Sequence, residues 1–295
     1  MSNIAELVSH FRVHLQNLNK SEHTIKQYTI DCKQFAAFAE GYDGAFEQQP
    51  TQVIEAYCST LAKTYKSTAS INRKIASMRN FIQFLQMRGM TLEIEESVMQ
   101  PVQMDAKGLT LLTNIQLRQA VQLWLRVFEE AQDSELHWIA LRNYAIVQTI
   151  HTLGLKPAEV VRMKWTHIDG DTIRIQSGRK NRRVPLTLDL IQLLEQYQKE
   201  TRSFLPVAAE VDSIWLGVGN TQGQPITVKT VDRIFQHIST QLCFKVTATN
   251  VRYNVIERET IVAPEDLAGD LYKQFGYARK GVMQERQDRM QPKER

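Results

Sequence analysis

The 295-residue sequence predicts a mainly helical chain: four helices in the first hundred residues, then a larger, mostly helical region with one small antiparallel sheet. Three observations predict it. Apolar residues recur at three- and four-residue spacing through residues 1–100, the period of helices that bury one face. Residues 101–109 lose that period and carry Pro101 and Gly108, so they read as a linker. Within residues 110–295, Thr172-Ile173-Arg174-Ile175 alternates as a half-buried strand, and Val184-Pro185-Leu186 resumes as an edge strand, where proline is tolerated.

Each element has a local cause. Ile4, Leu7, Val8, Phe11 and Leu15 form the first stripe, and Ile25, Tyr28, Phe35 and Phe38 the second, with Ser21 as N-cap. A third helix runs from Thr51 through Ile54, Tyr57 and Leu61. A fourth starts near Ser67, carries Ile71, Ile75, Met78, Phe81, Ile82 and Leu85, and stops at Gly89. Four such helices close a small bundle. Beyond the linker, Thr113 is placed to cap a helix through Leu117, Val121 and Leu125, and further helices are read at Leu188–Tyr197, Val228–Thr240 and Val251–Arg258. Trp165 and Trp215 read as core residues.

Composition narrows the function. A net charge of +4 permits a nucleic-acid partner without requiring one. Cys32, Cys58 and Cys243 lie too far apart for a metal or redox motif, so no disulfide frame is expected and a reducing cytoplasm fits. His151, His167 and His237 lack ligand-like neighbours, and neither a metal nor a cofactor is expected. No secretory leader is read at the start. The most apolar stretch, Trp138 to Leu155, contains Arg142 and Asn143 and reads as a buried helix, not a membrane span. Two basic clusters stand out: Asn72, Arg73, Lys74 and Arg79 on one helix, and Arg179, Lys180, Arg182 and Arg183 at the turn between the strands. Each reads either as a solvated basic face or as a phosphate contact.

Several segments, in order, resemble the tyrosine recombinase (phage integrase) family. Ser21-Glu22-His23-Thr24-Ile25, with Tyr28 and Phe35, resembles the first helices of its SAM-like core-binding domain. Ser70-Ile71-Asn72-Arg73-Lys74-Ile75, with Met78-Arg79-Asn80-Phe81, resembles that domain's DNA-contacting helix. Leu153-Gly154-Leu155-Lys156-Pro157-Ala158-Glu159-Val160 resembles the first catalytic box, and Arg182-Arg183-Val184-Pro185-Leu186 the end of the β2–β3 turn. Thr249-Asn250-Val251-Arg252-Tyr253 stands where the second box belongs, and Phe275-Gly276-Tyr277 where a Leu-Gly-His step belongs. The resemblance implies a core-binding domain followed by a catalytic-type domain, which together grip duplex DNA.

The family's reaction attacks a DNA phosphodiester with a tyrosine hydroxyl. Arginine forks and imidazole or indole donors stabilise the charge that develops on the phosphate, and a lysine on the turn protonates the leaving oxygen. Carried over position by position, the first-box arginine is Lys156, the turn lysine is Ser177 and the second-box histidine is Thr249. Arg252 is retained. The third-box residue is Tyr277, and the nucleophile position nine residues on is Arg286; no tyrosine follows Tyr277. Each lost donor costs roughly 10²–10³ in rate, and such groups act as a unit. Phosphate binding depends on summed charge and suffers far less. The resemblance therefore implies a DNA-binding protein without strand cleavage, contacting DNA through Asn72, Arg73, Lys74, Arg79, Lys156, Arg179, Lys180, Arg182 and Arg252. Repression of a mobile element or prophage and accessory action beside an active recombinase both stay open. So does an active enzyme with a displaced nucleophile, Tyr277 or Tyr272. The tail from Lys273 to Arg295 corresponds to a segment that the family donates to a neighbouring protomer, which implies a homo-oligomer.

Overall fold

The computed structural model describes residues 4–42, 46–103, 110–177, 180–262 and 270–288. Arg179, most of the expected linker and the end of the tail lie outside them, as do the side chains of Lys180 and Arg286. The chain divides into two compact units, residues 1–106 and 107–295.

The first unit is a four-helix bundle. Helices α1 (Ile4–Asn17), α2 (Glu22–Glu40), α3 (Pro50–Thr64) and α4 (Thr68–Met87) bring their apolar stripes together. Ser21 caps α2 by accepting from Thr24 N, and Ser67 caps α4 by accepting from Ser70 N. Pro50 opens α3 at a position where its missing N–H costs nothing. Phe11, Phe35, Ile54, Met78, Phe81 and Leu85 are fully buried between the helices. Gly89 adopts φ +90°, the left-handed turn that ends α4.

The second unit opens with α5 (Asn114–Glu130), started by a reciprocal Thr113–Gln116 capping box. Helix α6 (Ser134–Leu153) is buried on most of its circumference and forms the centre of this unit. It carries the apolar run read from the sequence, and Arg142 is tolerated there because it donates to the Leu216 carbonyl and to Asn143. No helix of the described residues is long and apolar enough to cross a membrane. Gly154 ends α6 at φ +59°, and a Cβ there would meet the Phe275 ring at 2.7 Å.

One short turn, α7 (Pro157–Val160), leads to a three-stranded antiparallel sheet in the order β1 (Ile168–Asp169), β2 (Thr172–Ser177), β3 (Lys180–Pro185). β1 has only two residues, too few for an alternating pattern to announce it. Ile173 pairs with Val184 and Ile175 with Arg182, so Ile173, Ile175 and Val184 join the core. β3 lies at the edge, with Pro185 its last residue. Helices α8 (Leu188–Phe204), α9 (Val228–Leu242) and α10 (Ala248–Val262) follow, each longer than the sequence pattern marks, then α11 (Leu271–Gln274) and α12 (Lys280–Asp288). Trp215 is fully buried; Trp165 is half-buried against the same core.

Candidate nucleic-acid interface

In the second unit, distant segments converge on one carboxylate. Glu159 sits in α7 with its side chain 2% exposed. Arg182, from β3, donates Nη1 to Glu159 Oε1 at 2.8 Å and Nη2 to Oε2 at 2.9 Å. The third edge of the same guanidinium, Nε, donates to the Gln274 carbonyl at 2.7 Å. The Lys156 main-chain N–H donates to Glu159 Oε2 at 2.9 Å, a side chain reaching back over its own helix start. Burial pushes the Glu159 carboxyl up, but the Arg182 hydrogen bonds and charge, with help from Lys156, outweigh it and hold the group below the usual carboxylate range.

The other two cations turn to main-chain oxygens. Lys156 Nζ donates to the Gly276 carbonyl at 2.9 Å, with Glu159 Oε1 at 3.9 Å and the Tyr277 ring centroid at 5.7 Å. Arg252, on α10 and 4% exposed, donates to the Gly154 carbonyl and, at 2.7 Å, to the Phe275 carbonyl. Its guanidinium lies 5.4 Å from the Tyr277 ring centroid, and the Tyr277 hydroxyl is hydrogen-bonded to Arg252 and Tyr253. Burial pushes the Tyr277 phenol up; Arg252 pulls it down and Tyr253 adds to the rise, and the balance is upward. Gly276 makes this packing possible. It has φ +67°, and a Cβ would lie 2.8 Å from Arg182 Nη1 and 3.1 Å from Glu159 Oε1.

The Glu159 carboxylate is taken by Arg182, not by Arg252. Arg182, expected at the surface of the turn, is 13% exposed and points inward. Ser177 lines a hollow of about 470 Å³ with Asn181, Arg182, Tyr272, Gly276 and Tyr277. Thr249 is exposed and lines a different hollow, of about 480 Å³, with Thr110, Lys245 and Asn250. Lys156, Arg252 and Tyr277 thus share one place, Ser177 stands at its edge, and Thr249 faces elsewhere. Arg286 belongs to α12. Tyr272 and Tyr277 are half-buried against Tyr253, Ile256 and Phe275.

In the first unit, α4 does not present its four expected contacts as one solvated face. Lys74 is 4% exposed and donates to Asp31 Oδ1 at 3.0 Å and to Gln34. Arg73 and Ser77 also donate to Asp31, which is 2% exposed. Asn72 makes a two-way bond with Val102, donating to its carbonyl at 2.9 Å and accepting from its N–H at 2.8 Å, and Arg79 donates to the Met99 carbonyl. The reason is helical phase: Lys74 falls between Ile71 and Ile75 on the inward side. Arg73, Arg79 and Asn72 remain partly exposed. Asp31 is the residue that sequence reasoning missed. The available signal was a carboxylate three residues from Tyr28 and four from Phe35, on an otherwise apolar stripe.

Among the described residues no three His, Cys, Asp or Glu side chains gather as a metal-binding group. The arrangement is one of cations held by carboxylates and carbonyls around a glycine-tight turn.

Two family models match the chain: the phage integrase N-terminal SAM-like domain over residues 8–89 and the phage integrase family over residues 124–250. The chain belongs to the phage integrase, or tyrosine recombinase, family. A tyrosine recombinase of Pseudothermotoga lettingae is 27% identical over 203 residues, covering 67% of this chain and 66% of that protein. Tyrosine recombinase XerC of Halalkalibacterium halodurans is 26% identical over 233 residues, covering 77% of this chain and 74% of that protein. The matches therefore span about two thirds to three quarters of these relatives. Among solved structures, a lambda integrase dimer bound to a COC′ core site superposes with a TM-score of 0.69 at 14% identity, covering 98% of this chain and 79% of that one, a likeness of fold.

Proposed function

We propose that this chain binds duplex DNA on a recombinase scaffold without cleaving it, as a repressor or regulator of a mobile element or prophage, or as an accessory subunit beside an active recombinase. The observation that carries this reading is the nucleophile position. Counted nine residues on from the third-box position Tyr277, it falls on Arg286 of α12. Arginine cannot form a phosphotyrosyl-type ester, whereas the chain's basic groups still attract phosphate. Lys156 keeps the charge of the first-box arginine but loses its fork, which favours holding a phosphate over stabilising its transition state. Duplex DNA as partner is supported by the family, whose solved members include a lambda integrase dimer on a core site. The same likeness supports a homo-oligomer, for which the tail is the segment we propose as the contact.

One observation favours a second reading, an active recombinase with a displaced nucleophile. The Tyr277 hydroxyl touches Arg252, the one retained catalytic residue. Against it, burial leaves that phenol harder to ionise than a free tyrosine, which weakens it as a nucleophile. Tyr272 stands beside the same hollow. Genome-wide mapping of bound DNA in the native host, followed by incubation of the protein with a nicked cognate site and denaturing electrophoresis, decides between them. We expect sharp binding sites and no covalent adduct. An adduct that disappears in Tyr277→Phe or Tyr272→Phe overturns the non-cleaving reading. Sites near a promoter support repression; co-occupancy with a catalytic partner supports the accessory role.

A further inference from the structure

In the first unit, two adjacent basic residues of α4 share one carboxylate and stand in different places. The Arg73 side chain is 37% exposed and that of Lys74 is 4% exposed. Both donate to Asp31 of α2, Arg73 through Nη1 to Oδ2 and Lys74 through Nζ to Oδ1 at 3.0 Å. Lys74 is enclosed further: Nζ donates to Gln34 Oε1 and lies 4.7 Å from the centroid of the Tyr65 ring. Helical phase makes the split. Successive residues turn by about 100°, so Lys74 points inward with Ile71, Ile75 and Met78 while Arg73 is swung toward solvent.

The charges then decide what each residue can do. Two cations and one carboxylate leave one positive charge, and Arg73 is the member of the three that reaches the surface. An ammonium bonded to Asp31 inside the helix pair cannot also reach a phosphate. Without that ammonium, Asp31 would cancel Arg73, and the pair would offer DNA no net charge. We infer that Lys74 serves DNA binding without touching DNA: it is the buried counterion of Asp31, which lets Asp31 hold Arg73 in place while one positive charge stays available there for a backbone phosphate. This rests on the DNA-binding reading above. Arg73 is then the contact, and Asp31 and Lys74 are positioning residues. Holding the guanidinium beforehand also lowers the side-chain entropy lost when the phosphate arrives.

Titration of the full chain into a short labelled duplex over a range of salt, read by fluorescence anisotropy, tests it, with circular dichroism melts showing that each variant is folded at the assay temperature. Arg73→Met should weaken binding roughly tenfold at low salt and reduce the slope of log affinity against log salt by about one, the loss of one phosphate contact. Lys74→Met should reduce the slope by about the same amount although the residue is buried, because Asp31 now cancels Arg73. Asp31→Asn combined with Lys74→Met removes both buried charges and should return the slope to that of the unsubstituted chain, a rescue that a purely structural role for Lys74 does not produce. An unchanged slope in folded Lys74→Met overturns the inference. So does a slope that stays low in the double variant, which would make Lys74 itself a DNA contact. Absence of duplex binding by the unsubstituted chain is a separate result: it overturns the DNA-binding reading before any variant is compared, and the inference with it.

Discussion

Arg182 and Glu159 meet side by side, two guanidinium nitrogens on two carboxylate oxygens at 2.8 and 2.9 Å, joining the edge strand β3 to the turn α7. With Nε on the Gln274 carbonyl, this one residue of β3 pins α7 and the end of α11 together. Arg182→Met strands a buried carboxylate and should cost about 3 kcal/mol, read as a lower denaturation midpoint. Arg182→Met with Glu159→Gln should recover most of that loss, because the uncompensated charge is gone. If the double variant is no more stable than Arg182→Met alone, the pair is not the source of the effect.

The same pair sets a pH dependence. Glu159 is held below the usual carboxylate range in the folded chain, so it contributes stability that is present above the unfolded pKa of about 4.3 and lost as pH falls through the lower folded value. Melting temperature should therefore drop on acidification below that range, and the drop should be shallower in Glu159→Gln. Parallel curves for the two proteins would assign the acid sensitivity to other groups.

Asp31 is the acceptor around which α2 and α4 are joined. Asp31→Asn leaves Lys74 buried opposite a neutral amide, and the expected cost is about 3 kcal/mol in the first unit. Adding Lys74→Met to it should return much of the stability, since the apolar neighbours Ile71, Ile75 and Met78 offer the packing surroundings. Chemical denaturation of the two variants checks both directions.

Gly276→Ala introduces a Cβ 2.8 Å from Arg182 Nη1 at a left-handed φ. The expected result is a loss of about 1–3 kcal/mol and a displaced third-box segment. A melting temperature equal to that of the unsubstituted chain would show that the turn relaxes without cost.

The turn between β2 and β3 carries the charge proposed to meet DNA. Reversing Arg179 and Lys180 to Glu should weaken duplex binding at every sequence and reduce the slope of log affinity against log salt by about 2, close to one unit per lost phosphate contact. Unchanged affinity and slope would remove the turn from the interface.

Most of the architecture was legible without coordinates. The periodic stripes, Ser21 and Thr113 as caps, the helix start near Ser67, Gly89 as a stop and the alternation at Thr172–Ile175 all act within a few residues, where propensity and capping dominate. The family likeness rested on the order of short motifs, which a sequence also carries. The fate of each cation was not legible. Lys156 reaches Gly276 across 120 residues, Arg252 reaches Gly154 across 98 and Lys74 reaches Asp31 across 43.

What the sequence by itself determined is the set of helices, the hairpin and the family. What only the tertiary structure decided is which charges are spent internally: Arg182 on Glu159, Lys74 on Asp31, Arg252 on two carbonyls, and Lys156 on the Gly276 carbonyl and Glu159. The physical reason is that burial makes an unpaired charge costly, so a basic residue's role depends on which acceptors the fold brings within about 3 Å, and that depends on long-range packing.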